Sequence, residues 1–275
     1  MDDAHRQLAS PVRFEWGASG AQAVAQGADV AIVVDVLSFT TTLTVAADLG
    51  TVVLPYPWDD EHAARYAEAH GATLAVRRAD RTGGISLSPA SVRTAAPVER
   101  LVLPSPNGSA IAYQLQDWAD TVIGASFRNV GAVAAWVAAH HDAATVRVAV
   151  VASGERWPDG SLRPCVEDAW GAGALILALS GHGIAGTSPE AVLAAGAYLE
   201  IRGYEADALM SCSSGRELAA RGFTGDVRIA AEVDRSESVP VLRGGAFLVD
   251  GPPSLDDRPH DPGLTSRGAA GGSPG

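Results

Sequence analysis

The most regular apolar pattern in the chain lies between Val30 and Gly50. Val30 to Val34 is an unbroken apolar run of strand length that ends at Asp35. Such a run predicts a strand buried on both faces, as in a parallel sheet. After a short turn, Thr40, Thr41 and Thr42 lead into Leu43, Val45, Ala46 and Leu49 at helical spacing, with Gly50 as a stop. The pattern places Asp35 at the carboxyl end of a buried strand and the three threonines near a helix start.

The same alternation recurs along the chain. Strands are predicted near Phe14–Trp16 and over 52–54, 73–76, 101–103, 121–123 and 146–151. Pro55 and Pro57 end the second of these after Leu54. Helices are predicted over 21–26, 59–70, 110–118, from 129 to about 139 and over 169–179. Asp59 serves as a cap and Gly71 as a stop for the 59–70 helix. Residues 77–93, rich in Arg, Gly and Ser, read as one long loop, and 152–164 as another. Ser188-Pro189-Glu190 opens a helix to Leu199, with Pro at its first position. Further helical pieces follow at 206–210 and 213–221. Residues 239–242 and 246–249, joined through Gly244-Gly245, read as a closing hairpin.

Strand, polar turn and helix in repetition predict an α/β fold of three layers, α/β/α, with a mainly parallel sheet. In such a sheet the polar turns share one end. That would gather Asp35, Thr40, Asn107, Gly108, Ser109, Ser126, Asn129, Ser153, Glu155, Glu167 and Asp168 on one rim. Residues 1–250 read as a single domain, with two lobes dividing near 140–165 as the alternative. From Gly251 the composition shifts to Pro, Gly, Ser and Asp, which predicts a disordered tail over 251–275.

Composition narrows the function classes. The 275 residues carry a net charge of −12 and a pI near 4.9, which argues against nucleic-acid binding. A small anionic substrate stays open, because local Arg and N–H groups can bind one. No apolar run reaches the roughly 18 residues of a membrane span. The first residues contain no apolar core of a signal peptide, so a cytoplasmic protein without membrane partners is expected. Two cysteines, Cys165 and Cys212, are too few for a disulfide framework and are expected as free thiols. The sequence does not fix the oligomeric state; acidic α/β enzymes are often dimers, so a homodimer stays open.

Asp35 and its threonines form the first chemical candidate. Ligands of open α/β sheets bind at the carboxyl ends of strands, and a helix N-terminus attracts anions. A carboxylate beside it can hold magnesium through oxygen. The same residues also suit a plain turn and helix cap. Pro106-Asn107-Gly108-Ser109 follows a strand and opens a helix, where Gly permits close approach of an anion; it also suits an Asn-Gly turn. Glu155 and the pair Glu167-Asp168 become metal ligands only if they face Asp35; first-turn carboxylates also simply favour the helix dipole. Glu232 and Asp234 form a weaker acidic pair. Cys165 reads either as an activated thiol at a helix start or as a small buried hydrophobe. The histidines lack metal-ligand spacing, and the zinc-protease, nucleophile-elbow and dinucleotide motifs are absent from the sequence. A dehalogenase-type phosphatase would need a second Asp where Leu37 stands.

Five blocks in order resemble the 2-phosphosulfolactate phosphatase family. They are Val34 to Thr42, Pro106 to Ser109, Ser126 to Asn129, Glu155 with Glu167-Asp168 and Ala172-Gly173, and Val233-Asp234 with Val239-Pro240-Val241. The resemblance runs from about Phe14 to Val249. It implies a magnesium-dependent hydrolase that converts 2-phosphosulfolactate to sulfolactate and phosphate, in a pathway leading to coenzyme M in methanogens. Carried over by position, Asp35, Glu167 and Asp168 would hold Mg2+. Thr40, Thr41, Thr42, Asn107, Gly108 and Ser109 would cradle phosphate, and Asn129 and Glu155 would orient substrate or water. The family usually has Arg where this chain has Ser38, and His-Gly where it has Ser214-Gly215. Arg128, Arg156 and Arg216 are the candidates to replace the missing charge. A phosphatase for another small phosphorylated acid, and a non-catalytic ligand-binding relative, are the alternatives.

Overall fold

The structure is a computed structural model that describes residues 3–57, 61–78 and 84–250. Its strands are β1 (Val12–Trp16), β2 (Ala28–Val34), β3 (Val52–Tyr56), β4 (Thr73–Leu74), β5 (Arg100–Pro104), β6 (Ala119–Ala125), β7 (Val148–Ala152), β8 (Glu155–Arg156), β9 (Leu162–Arg163), β10 (Val239–Arg243) and β11 (Ala246–Asp250). The helices are α1 (Gly17–Ala25), α2 (Phe39–Asp48), α3 (Glu61–Ala69), α4 (Pro89–Thr94), α5 (Gly108–Leu115), α6 (Val130–His140), α7 (Val166–Gly181), α8 (Pro189–Leu199), α9 (Glu205–Ser211), α10 (Ser213–Ala220) and α11 (Thr224–Ala230).

Nine strands form one mixed, mostly parallel sheet in the order β1-β7-β2-β6-β10-β11-β3-β5-β4. β2 is its centre of gravity, paired in parallel with β7 on one side and β6 on the other. Its residues divide by parity, as the two-residue period of a strand requires. Val30, Ile32 and Val34 pack with Val133 and Val137 of α6 and Leu175 and Leu179 of α7. Ala31 and Val33 pack on the other face with Phe39 and Leu43 of α2 and Ile111 and Leu115 of α5. The unbroken apolar run is therefore explained by helices on both faces, and the fold is α/β in three layers. Each fully buried Val, Leu or Ile contributes about 1.5–3 kcal/mol of transfer free energy.

The sheet departs from the sequence expectation in one respect that bears on the site. The β10–β11 hairpin turns through Gly244 and Gly245, with φ of +58° and +81°, as a two-residue hairpin turn demands. It lies inside the sheet, antiparallel to β6 on one side and to β3 on the other. Consequently β3, β4 and β5 run in the opposite sense to β1, β2, β6 and β7. The polar turns do not share one end of a single parallel sheet.

Other differences are local. β3 continues through Pro55, beyond its bridge to β11, which is confined to Val53 and Phe247, so the missing N–H of Pro55 is tolerated. The expected long loop after Val76 contains α4, started by Ser88, whose side chain accepts from the Ser91 N–H, and by Pro89. The expected loop after β7 contains the small β8–β9 hairpin. Helix α11 follows α10, where no element was expected. The Asp59 cap and the tail over 251–275 lie outside the described residues. No helix among the described residues is long and apolar enough to cross a membrane.

Candidate functional site

Asp35 follows β2 directly, at the entry to α2, and is 7% exposed. Its carboxylate accepts two backbone N–H groups: Oδ1 from Phe39 at 3.1 Å and Oδ2 from Gly108 at 3.0 Å. Phe39 opens α2 and Gly108 opens α5, so two helix starts point at one carboxylate. The anion held by these positive helix ends is a residue of the chain itself. Gly108 is required there, because a Cβ would lie 2.5 Å from Asp35 Oδ2.

Asp168 sits in the first turn of α7 and is 4% exposed. Its Oδ1 accepts from the Val36 N–H at 2.7 Å and its Oδ2 from the Gly154 N–H at 2.8 Å. It therefore joins α7 to the turn after β2 and the turn after β7. Glu167, beside it, is 3% exposed. Glu155, half-buried on β8, accepts from Asn107 Nδ2 at 2.8 Å. Four carboxylates and Asn107 thus converge from β2, α5, β8 and α7, although β5, which leads to Asn107, runs against β2.

Electrostatics are unfavourable to four charges at this spot. Burial, with the charges of Glu155 and Glu167, pushes the Asp35 carboxyl up to about 7. Burial and the charges of Asp35 and Glu167 raise Asp168 well above the carboxylate range. Burial also raises Glu155, against the pull of Asn107 and Arg163. Such a set either keeps protons at neutral pH or gains from a cation. Cys165 is not an activated thiol: burial and the charges of Glu167 and Asp168 raise its pKa and keep it protonated.

A cleft of about 530 Å³ opens beside the cluster, lined by Trp16, Asn107, Tyr113, Ser153, Glu155 and Leu162 among others. Ser153 is 2% exposed, and its hydroxyl has no hydrogen-bond partner in the protein. A buried hydroxyl in that state is a position awaiting a ligand or water.

The remaining sequence candidates are placed differently. Thr40, Thr41 and Thr42 are fully buried, and their hydroxyls donate to Asp35 O, Val36 O and Leu87 O. The Ser109 hydroxyl donates to Leu103 O at 2.8 Å. These four hydroxyls, expected to cradle phosphate, each donate to a backbone carbonyl and hold the turns. Gly108 contributes its N–H to Asp35, not to an open anion site. Asn129 is fully buried; its Oδ1 accepts from Ser126 N, and its Nδ2 donates to Gly124 O and Ser238 O. It ties the turn after β6 to the strand entry at β10, and its amide is engaged by backbone groups there. Glu232 bonds to Arg93 and Arg128, and Asp234 accepts from Gly131 N, so that acidic pair is structural.

Arg128 bridges Asp48 and Glu232 and is not free to replace the charge missing at Ser38. The cation that reaches Ser38 is Arg78, whose Nη2 donates to Ser38 Oγ at 2.8 Å and Leu87 O at 2.7 Å. Burial lowers its pKa, while Asp226 and Asp35 act in the other direction. Arg78 lies in a stretch read as an Arg-, Gly- and Ser-rich loop, and no role is assigned to it there.

The donor set fits magnesium. It is all oxygen and largely desolvated, and Arg78 and Arg163 offset its charge only in part. Among the described residues no three His, Cys, Asp or Glu side chains are arranged to hold an ion alone. Mg2+ commonly takes one or two carboxylates and completes its shell with water and phosphate oxygens.

A comparison with curated proteins finds no match. The 2-phosphosulpholactate phosphatase family model matches residues 20–245. That span runs from within α1 to the turn after β10 and contains all four clustered carboxylates, Asn107 and Ser153. Over so much of its length the chain belongs to the 2-phosphosulpholactate phosphatase family, a family of phosphoric monoester hydrolases.

Proposed function

We propose that the protein is a magnesium-dependent phosphatase that hydrolyses 2-phosphosulfolactate, or a closely similar small phosphorylated hydroxy acid, to the free acid and phosphate. The observation that carries this reading is the pair Asp35 and Asp168. Each is buried, each is held by two backbone N–H groups, and their anionic forms are disfavoured until a cation arrives.

Asp35 and Asp168, with Glu167 beside them, would hold the ion. When bound, the ion supplies positive charge to the phosphoryl oxygens. The chain does the rest. The Ser153 hydroxyl donates to an oxygen of the ester at the floor of the cleft. Asn107 holds Glu155 in place through Oε2. Glu155, its pKa raised by burial, takes a proton from the attacking water. Arg78 fixes the turn at Ser38 that carries Asp35 and adds positive charge behind it.

The test is phosphate release from 2-phosphosulfolactate and a panel of phosphorylated hydroxy acids, with Mg2+ and with EDTA. The expected result is release that EDTA abolishes and Mg2+ restores. Release from another acid alone would reassign the substrate. A folded protein that binds these acids and releases no phosphate from any would contradict the catalytic reading.

A further inference from the structure

Glu155 and Arg156 form a wall shared by two cavities. The cleft with Ser153 and Asn107 lies on one side. On the other is a second cavity of about 490 Å³, within the size range of small-ligand sites. Its lining is basic: Arg156, Arg163 and Arg221, with Trp157 and Ser213. Glu217, also in the lining, is paired with Arg221 at 2.7 Å. Three arginines against Glu155 and Glu217 leave this cavity positive within a chain of net charge −12.

Arg163 is held in position. Its guanidinium lies 5.7 Å from the Trp157 ring centre, and Nη2 donates to Ser214 Oγ at 3.3 Å. β8 pairs with β9, and Glu155 faces Arg163 across that pair. Ser213 is the first residue of α10, so the positive end of that helix borders the same cavity. Planar guanidinium groups are suited to carboxylate or sulfonate oxygens, which they bind through paired N–H donors.

We propose that this cavity receives a second anionic group of the substrate, a carboxylate or a sulfonate, while the phosphoryl group lies on the other side of Glu155. The inference rests on the phosphatase reading for the placement of the phosphoryl end. It makes Arg163, with Arg156 and Arg221, the residues that select an acidic tail over a neutral one.

Three esters separate the possibilities: 2-phosphosulfolactate carries sulfonate and carboxylate, 2-phospholactate carries carboxylate alone, and glycerol 2-phosphate carries neither. In Arg163→Gln, KM for the preferred acid should rise about tenfold, and the preference over glycerol 2-phosphate should shrink accordingly. R221Q, at an exposed position, should act in the same direction and covers the case in which R163Q fails to fold. R202Q, at an exposed position outside both cavities, should leave the preference as in the parent. A loss confined to 2-phosphosulfolactate assigns the cavity to sulfonate; an equal loss with 2-phospholactate assigns it to carboxylate. Calorimetry with sulfolactate, which has no phosphate, reads the cavity without turnover, and R163Q should weaken its binding about tenfold. Unchanged KM ratios and unchanged sulfolactate binding in R163Q and R221Q overturn the inference and leave the phosphatase reading standing. Arg163-dependent sulfolactate binding with no phosphate release from any ester supports the cavity and removes the phosphatase reading.

Discussion

Gly108 shows how closely the site is built at the scale of single residues. A Cβ there would meet Asp35 Oδ2 and Phe39 Cδ1, both at 2.5 Å. Gly108→Ala is expected to cost about 1–3 kcal/mol of stability through overpacking. It should also lower turnover by roughly tenfold or more, because the carboxylate that moves is Asp35. Thermal unfolding and phosphate release on the same sample check both effects. Asn129→Ala should separate them. It removes the partners of Ser126 N, Gly124 O and Ser238 O and is expected to destabilise by about 1–3 kcal/mol. Turnover per folded molecule should stay at the parent level; a loss with unchanged stability would put Asn129 back at the chemistry. The acidic residues were legible in the sequence because strand ends and helix starts mark where a carboxylate lands. The directions of the hydroxyls were not. The acceptor of Thr42 is Leu87, 45 positions away, and no local pattern reports that choice. Ser153 is similar: its lack of a partner is a property of the folded surroundings, not of the residue type.

Among the elements, helices α7 and α8 carry the clearest prediction. At Gly173 a Cβ would lie 2.1 Å from Ala194 O and 3.0 Å from Tyr198 Cβ, so the two helices touch there backbone to backbone. Gly173→Ala must push α8 away from α7, whose first turn holds Glu167 and Asp168. The expected outcome is a melting temperature lower by about 5 °C or more, read by calorimetry. An unchanged melting temperature would mean that the helices are not packed this closely. Element type was readable wherever period and caps agreed. Ser188-Pro189 announces α8, and the same Ser-Pro pair at 88–89 starts α4, but the Arg- and Gly-rich run before it reads as loop. The position of the β10–β11 hairpin was not readable. Its turn chemistry fixes that two strands pair with each other, and says nothing of which strands flank them.

At the scale of the whole molecule, the sheet explains why the site forms despite reversed strands. From β2 to β5 there are five strand-to-strand steps, which accumulate roughly 100–125° of twist. Helix α5, which leaves β5 and packs across β3, β2 and β6, brings Gly108 to Asp35. The three-layer architecture was legible from the repeating pattern; this convergence depends on long-range pairing that the pattern does not encode. The buried cluster also sets a pH dependence. Asp35 is ordinarily near 3.8 and is pushed up to about 7 in the fold. Between these values the folded chain keeps a proton that the unfolded chain has released. Stability should therefore fall as pH rises from about 4 to 7. Mg2+ favours the ionised carboxylates, so the rise in melting temperature that it causes should be larger at pH 8 than at pH 5. An equal rise at both would place the ion elsewhere. The most direct measurement compares phosphate release from 2-phosphosulfolactate, with Mg2+, by the parent protein and by Asp35→Asn. The account predicts steady release by the parent and a loss of about a hundredfold or more in the variant. The variant should still melt within about 5 °C of the parent. Full activity in a folded Asp35→Asn variant would contradict the account, because Asp35 would then be an anchor of the fold and not part of the chemistry.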